Sequence, residues 1–89
     1  MKTILFYWSK GADTRRQIIR LIAECERESK PCYLNIIADK LAITRAAVKP
    51  HLEILTKYGY IQALNPGGKP NYLVLTPQGI EVLKEFSSR

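Results

Sequence analysis

The segment IADKLAITRAAVKPHLEILTKYGYI, residues 37 to 61, contains two helical patterns separated by a short turn. The first pattern predicts a helix over residues 34 to 41, because apolar side chains recur at helical spacing, at Leu34, Ile37, Ala38 and Leu41. Thr44 is a typical N-cap for the next helix, which is predicted to run to about Tyr58, where Gly59 supplies the left-handed residue that ends many helices. Two helices joined by a short turn predict a helix-turn-helix.

A proline lies in the interior of the longer of these two helices. At about 100° per residue, the core side of this helix holds Val48, Leu52 and Leu55, with Thr44 and His51 at its edge. The opposite side holds Ala46, Pro50, Glu53 and Lys57. A proline in a helix interior costs about 3 kcal/mol, because it removes a backbone donor and clashes with the preceding turn. Because Pro50 is on the outward side, the lost hydrogen bond leaves a backbone carbonyl facing water and not the core. We infer from this costly residue that the outward side meets a partner.

The segment that precedes the helix-turn-helix predicts another helix. TRRQ, residues 14 to 17, is typical of a capping box in which Thr14 caps and Gln17 reaches back, and this first helix is predicted to end near Ser29. Cys32 and Tyr33 are then placed in a short strand ahead of the second helix.

After Gly59 the apolar pattern changes to the alternation of strands. YIQAL, residues 60 to 64, and YLVLT, residues 72 to 76, predict a hairpin closed by the exposed loop NPGGKPN. Thr76 is predicted to cap a final helix with Pro77 in its first turn and an apolar side of Ile80, Leu83 and Phe86.

The order of elements predicts a winged helix-turn-helix fold, α+β and mainly α, with a three-helix core, a β-hairpin wing and a C-terminal helix. We interpret the whole chain, residues 1 to 89, as one winged-helix DNA-binding domain. Its predicted parts are an apolar N-terminal segment (1–13), the helix-turn-helix (34–58), the wing hairpin (60–75) and the C-terminal helix (76–88).

The charge of the chain is unevenly distributed. Fourteen Lys and Arg against eight Asp and Glu give a net charge of +6, while 46% of residues are apolar, which is ordinary for a globular protein. Residues 40 to 71 contain Lys40, Arg45, Lys49, Lys57 and Lys69 against Glu53 alone. A basic stretch of this kind favours a polyanionic partner, with nucleic acid ahead of an anionic membrane.

Two stretches resemble known regulators. Residues 37 to 61 resemble the DNA-reading segment of MarR-type and ArsR-type transcriptional regulators, and YLVLTPQGIEVLKEF, residues 72 to 86, resembles the wing strand and following helix of MarR-like and PadR-like proteins. The resemblance covers residues 14 to 86 and implies a regulator that binds specific sequences of double-stranded DNA. WSKGADTRRQII, residues 8 to 19, is similar to archaeal regulators.

The resemblance also implies positions that contact DNA. Residues near the start of the third helix read bases in such regulators, and these positions hold Thr44, Arg45, Ala46, Lys49 and Pro50. A wing tip places a basic residue in the minor groove or on the backbone, which suits Lys69 with Asn71. Independently of the resemblance, Arg15 and Arg16 at the start of the first helix are candidates to hold a phosphate; the alternative is a solvated helix end.

Cys25 and Cys32 are interpreted as buried free thiols, and a disulfide or a redox switch between them is left open. His51 is the only histidine and is expected to pack at the edge of the core. With two cysteines as the other soft ligands, one chain cannot build a four-ligand metal site, and no nucleophile, base and orienting group occur together. We therefore expect no enzyme activity and no cofactor, and the sequence identifies no small-molecule effector.

The N-terminal segment is unusually apolar. The run ILFYW is too short to span a bilayer, and no signal-peptide cleavage site follows it, so we expect a cytoplasmic protein without a membrane partner. Residues 3 to 8, with Val82 and Phe86 of the last helix, are predicted to form a two-fold homodimer interface; the alternative is that they cover the monomer's own core. A winged-helix module that binds an acidic protein remains the alternative to DNA binding.

Overall fold

A computed structural model describes residues 4 to 87, which form helices and one β-hairpin in the predicted order. A π-helical turn, Ile4–Trp8, comes first, and the elements that follow are α1 (Ala12–Arg27), α2 (Leu34–Leu41), α3 (Arg45–Lys57), β1 (Ile61–Ala63), β2 (Leu73–Leu75) and α4 (Pro77–Ser87). The predicted winged helix-turn-helix, mainly α, is therefore confirmed. Residues 1 to 3 of the N-terminal segment and residue 88 of the predicted last helix lie outside the described residues.

The start of α1 differs from the prediction. The helix begins at Ala12 after Gly11, whose φ of 86° lies in the left-handed region, and the Arg15 amide donates to the Gly11 carbonyl at 3.0 Å. Thr14 is thus inside the first turn, and the Gln17 side chain donates to the Asp13 carboxylate at 2.7 Å. The capping-box prediction was wrong, because a glycine in a conformation that other residues disfavour starts the helix earlier.

The helix-turn-helix follows its local signals closely. α2 has the predicted bounds, and the Thr44 hydroxyl accepts from the Ala47 amide at 3.1 Å, which confirms the N-cap of α3. In the turn, Ala42 has a φ of 56°, a conformation that is costly for a residue with a Cβ. Gly59, with a φ of 81°, ends α3, and the Tyr60 amide then donates to the Leu55 carbonyl at 2.9 Å.

The wing is a two-stranded antiparallel ribbon that is tied to the helices. Ile61 pairs with Leu75, and Ala63 pairs with Leu73. The short strand predicted at Cys32 and Tyr33 does not form. This segment makes one backbone hydrogen bond with the wing, from the Leu73 amide to the Cys32 carbonyl at 2.9 Å.

Thr76 joins the wing to α4. Its hydroxyl accepts from the Gly79 amide at 3.1 Å and donates to the Gly59 carbonyl at 2.5 Å. This geometry confirms the predicted cap.

One apolar core lies between α1, the helix-turn-helix, the wing and α4. The most deeply buried aliphatic side chains are Ile18, Ile19, Ile22, Ile37, Val48, Leu55, Ile61 and Val82. Phe6 is fully buried, with its ring 5.0 Å from Tyr60 and 5.2 Å from Phe86 between centroids. Ile80, which was placed on the apolar side of the last helix, is instead 45% exposed.

The burial of the N-terminal turn corrects the predicted dimer surface. Leu5, Phe6, Val82 and Phe86 all belong to the monomer's own core, so they are not available to a second copy. The alternative interpretation holds for these four residues. Within the same turn, Ile4 and Trp8 remain 56% and 80% exposed.

Candidate nucleic-acid interface

The outward side of α3 is a smooth face of small and basic side chains. The five predicted contact positions Thr44, Arg45, Ala46, Lys49 and Pro50 are all exposed, and Val48, Leu52 and Leu55 are buried on the other side, as predicted. The helix is continuous through Pro50. Because proline has no amide hydrogen, Pro50 leaves the Ala46 carbonyl without its helical donor on this side.

The cations of this face are not neutralised by other residues of the described part of the chain. In the described part of the chain, no ion pair includes Arg45, Lys49 or Lys69. Glu53, which lies four residues from both Lys49 and Lys57, also forms no ion pair in residues 4 to 87. Lys57 lies instead over the Tyr58 ring, 5.7 Å from its centroid. The face therefore keeps a net positive charge for a partner.

The wing loop is organised by a residue that the sequence analysis did not single out. The Asn65 side chain accepts from the Tyr72 amide at 2.8 Å and donates to the Pro70 carbonyl at 3.0 Å. It thus holds the two ends of the loop together, and Lys69 and Asn71 of this loop are exposed. An asparagine directly after a strand and ahead of a Pro-Gly pair is a turn signal that could have indicated this role.

A cleft of about 980 Å³ separates α3 from the wing. Its lining brings together Lys49 of α3 with Lys69 and Asn71 of the wing, three of the predicted contact residues. Arg45, Ala46 and Pro50 lie outside this lining, on the adjoining outward side of α3. The two predicted contact regions therefore flank one concave surface.

Arg15 is not part of this surface. It is 5% exposed, and its Nε donates to the Leu5 carbonyl at 2.6 Å while Nη2 donates to the Ser9 hydroxyl at 2.5 Å and to the Lys10 carbonyl at 3.3 Å. Burial lowers the pKa of Arg15 from its usual value. The prediction that Arg15 holds a phosphate is corrected, because its donors are used inside the protein.

Arg16 is also committed to the N-terminal segment. One of its guanidinium nitrogens donates to the Phe6 carbonyl, another pairs with Asp13 at 3.1 Å, and the group lies over the Tyr7 ring at 5.6 Å. The two arginines therefore anchor the N-terminal turn to α1. This role was not predicted because three of the partners are backbone carbonyls, those of Leu5, Phe6 and Lys10, which no residue type in the sequence indicates.

His51 connects α3 to this anchor. Its Nδ1 accepts from Arg15 Nη1 at 3.1 Å, and the half-buried ring packs at the edge of the core, as predicted. Burial, and then the positive charge of Arg15, lowers the pKa of His51 below its usual value of 6.5. His51 is therefore held in its neutral form, which the acceptor role of Nδ1 requires.

Both cysteines are buried free thiols in this structure. Burial, aided by a hydrogen bond with Cys25, raises the pKa of Cys32 to about 12. A thiol is reactive as the thiolate, so this environment disfavours the redox interpretation.

No helix between residues 4 and 87 is both long and apolar enough to cross a bilayer. In the same residues, His, Cys, Asp and Glu side chains nowhere gather in a group of three or more that could bind a metal ion.

Solved structures resemble this fold. A double mutant of ZitR from Lactococcus lactis is 26% identical, with a TM-score of 0.72, and the match covers 91% of this chain and 53% of that one. The S. aureus MepR–DNA complex gives a TM-score of 0.72 at 19% identity, covering 85% of this chain and 54% of MepR. A protein described as a possible transcriptional regulator for arsenical resistance gives 0.61 at 25% identity, covering 88% and 76%. The chain thus spans about half the length of ZitR and MepR.

A comparison with curated proteins gives no match. The sequence model described as "Bacterial regulatory protein, arsR family" matches residues 12 to 63, which is more than half of the chain and includes α1, the helix-turn-helix and β1. Of the families that the sequence resembles, ArsR is therefore the one that is matched, and the MarR-like label describes only a related group. The chain belongs to the arsR family of bacterial regulatory proteins.

Proposed function

We propose that this protein binds double-stranded DNA and regulates transcription, with α3 in the major groove and the wing on the backbone or in the minor groove. The observation that carries the proposal is the exposed set of Arg45, Lys49 and Lys69, none of which forms an ion pair with another described residue. Lys49 and Lys69 lie on either side of one cleft, and Arg45 lies on the adjoining side of α3. Membership of a family of regulatory proteins supports it, and the S. aureus relative of the same fold was solved with DNA.

Each proposed contact follows from the chemistry of its side chain. Arg45 and Lys49 donate to guanine O6 and N7, or to phosphates where the reach is too long. Ala46 and Pro50 form an apolar surface suited to the thymine methyl group. The Thr44 hydroxyl, whose oxygen caps α3, keeps its proton to donate to a phosphate.

The wing supplies the second set of contacts. Lys69 and Asn71 are exposed in a loop that Asn65 holds closed, so they reach the sugar-phosphate backbone without a large ordering cost. These contacts position the protein on DNA and carry little sequence information.

The proposal includes a homodimer on a pseudo-palindromic site whose half-sites lie about one helical turn apart. Trp8 and Ile4, which the core leaves exposed, are the apolar residues of the N-terminal turn that remain for such an interface. Sedimentation across micromolar concentrations tests this part; a monomer throughout would remove the dimer and leave the DNA contacts in place. A regulator of this kind acts in the cytoplasm, and the similarity of residues 8 to 19 favours an archaeal source.

The experiment that tests the proposal is selection from a library of random duplexes, followed by binding of the enriched sequence to Arg45→Ala and Lys49→Ala variants. We expect an enriched motif, and relaxed preference at one base pair in a variant that has lost a base contact. Failure of the wild type to enrich any duplex would contradict the proposal and turn the search to acidic protein partners.

A further inference from the structure

The wing is a short ribbon that needs support from outside the hairpin. Each of its strands is three residues long, and among residues 4 to 87 no third strand joins them. An isolated two-stranded hairpin is only marginally stable in water, and the outer edge of each strand leaves backbone amides without partners in the ribbon. The angle of the wing therefore depends on the groups that bond this outer edge.

Two amides of β2 point away from β1, and acceptors for both come from the end of α1 and the segment after it. The Leu73 amide donates to the Cys32 carbonyl at 2.9 Å, and the Leu75 amide donates to the Glu26 carboxylate at 3.0 Å. The two amides are two residues apart in a strand, so they lie on the same edge. Their acceptors thus occupy the places that the carbonyls of a third strand would take.

The acceptor from Glu26 is a side chain and not a backbone carbonyl. Glu26 is exposed on the last turn of α1, 49 residues before Leu75 in the sequence. A carboxylate that accepts from an amide forms a stronger hydrogen bond than a neutral acceptor does. No ion pair between residues 4 and 87 includes Glu26, and Lys30, four residues later, pairs with Glu28 at 3.3 Å. The carboxylate is therefore directed at the wing and not at a neighbouring cation.

The strand bonded in this way leads directly to the residues proposed to contact DNA. Lys69 and Asn71 come shortly before β2, and they line the same cleft as Lys49 of α3. The Tyr72 ring, next to Asn71, packs edge-on against Tyr33, with 5.8 Å between the ring centroids. A shift of β2 relative to α1 would therefore move the wing loop relative to α3.

Resting on the DNA-binding function proposed above, we propose that Glu26 is a positioning residue for the wing. It acts without touching DNA: through the Leu75 amide it fixes the angle at which Lys69 and Asn71 meet the sugar-phosphate backbone. A wing that is already in place avoids the ordering cost that binding would otherwise carry. The end of the first helix thereby sets the strength of a contact made by a distant loop.

Three substitutions separate the hydrogen bond from the charge. Glu26→Gln keeps an oxygen at the same reach and loses the charge, Glu26→Asp keeps the charge and loses the reach, and Glu26→Ala loses both. We expect Glu26→Gln to bind duplex DNA within about twofold of the wild type, and the other two to bind about fivefold more weakly. Glu24→Ala, at another exposed glutamate of α1, removes the same charge and should not weaken binding.

Two results of this comparison would overturn the proposal. Equal affinity of the three Glu26 variants would show that the bond has no role in binding. An order set by charge, with Glu26→Asp equal to the wild type and Glu26→Gln weakened, would show that the carboxylate acts only through its charge. The Glu26→Gln and Glu26→Asp pair remains decisive if Glu26→Ala does not fold.

A second comparison tests whether Glu26 acts through the wing. In a Lys69→Ala, Asn71→Ala protein the wing has lost its contacts, so the addition of Glu26→Ala should change DNA affinity by less than about twofold. In an Arg45→Ala protein the wing contacts remain, and the same addition should still weaken binding about fivefold. Equal losses in both backgrounds would assign the effect to the whole fold and overturn the proposal.

Amide hydrogen exchange without DNA tests the bond itself. The Leu75 amide should exchange at least about tenfold faster in Glu26→Ala and Glu26→Asp than in the wild type, while the Leu52 amide in α3 should be unchanged. Unchanged exchange at Leu75 would overturn the positioning role. If the wild type binds no DNA, the proposed function fails, while the exchange rates still decide whether Glu26 holds the wing.

Discussion

Arg15 of α1 donates to His51 of α3 over 3.1 Å, and the same guanidinium holds the carbonyls of Leu5 and Lys10. One buried side chain thus connects the N-terminal turn, the first helix and the helix proposed to read DNA. Gly11 makes this arrangement possible, because a Cβ at that position would lie 2.6 Å from the His51 ring. The orientation of α3 therefore depends on residues that never approach its outward face.

This contact predicts a loss of stability in mild acid. Burial and the charge of Arg15 lower the pKa of folded His51 below 6.5, so as the pH falls through 6.5 the unfolded chain gains a proton that the folded chain resists. The free energy of unfolding should fall until the pH reaches the lowered pKa. Urea denaturation between about pH 7.5 and 5.5 should show a steeper decline in the wild type than in His51→Gln. Parallel declines would show that other groups cause the effect.

The helix-turn-helix turn predicts a stabilising substitution. Ala42 is exposed and has a φ of 56°, so glycine removes steric strain there without opening a cavity. Ala42→Gly should raise the free energy of unfolding by about 0.5 to 1 kcal/mol after the greater chain entropy of glycine is subtracted. Ala47→Gly is the control: inside α3 it should destabilise by about 1 kcal/mol. Destabilisation by both would contradict the strained geometry of the turn.

Replacement of Pro50 should also increase the stability of the fold. Pro50→Ala restores the amide that bonds the Ala46 carbonyl in an exposed helix interior, so stability in urea should rise by about 1 to 3 kcal/mol. Alanine also keeps the face small, and DNA affinity should change less than in Lys49→Ala. A destabilised Pro50→Ala protein would show that the ring has packing contacts that outweigh the lost bond.

Replacement of Asn65 in the wing loop should weaken DNA binding with little loss of stability. Asn65→Ala removes both side-chain bonds that close the loop, so Lys69 and Asn71 lose their fixed position. DNA affinity should drop several-fold while the thermal midpoint falls only slightly, because the core is untouched. Gln17→Ala, which removes an exposed side-chain amide of α1 outside the cleft lining, is the matched control and should bind normally. Equal affinity of both variants would remove the wing tip from the interface.

Local signals in the sequence predicted the elements whose structure is decided locally. The bounds of α2, the Thr44 and Thr76 caps and the exposed side of α3 depend on neighbours within a few residues. The fate of Arg15 depends on partners 10 and 36 residues away, at Leu5 and His51. Periodicity alone could not distinguish Phe86 as a core residue from Phe86 as a dimer contact, since both uses give the same stripe. The separate positions of Lys49 and Lys69 in the sequence likewise did not reveal their shared cleft.

The most direct test of DNA binding through α3 is the affinity for a mixed-sequence duplex at two salt concentrations. The wild type is compared with an Arg45→Ala, Lys49→Ala double variant and with an Arg27→Ala, Lys84→Ala control that removes the same charge from exposed positions of α1 and α4. The predicted result is wild-type affinity that falls steeply with salt, a double variant weakened at least tenfold with a shallower slope, and a control within a few-fold of wild type. A double variant that binds as well as the control, or a wild type that does not bind, would contradict the assignment of α3 to DNA.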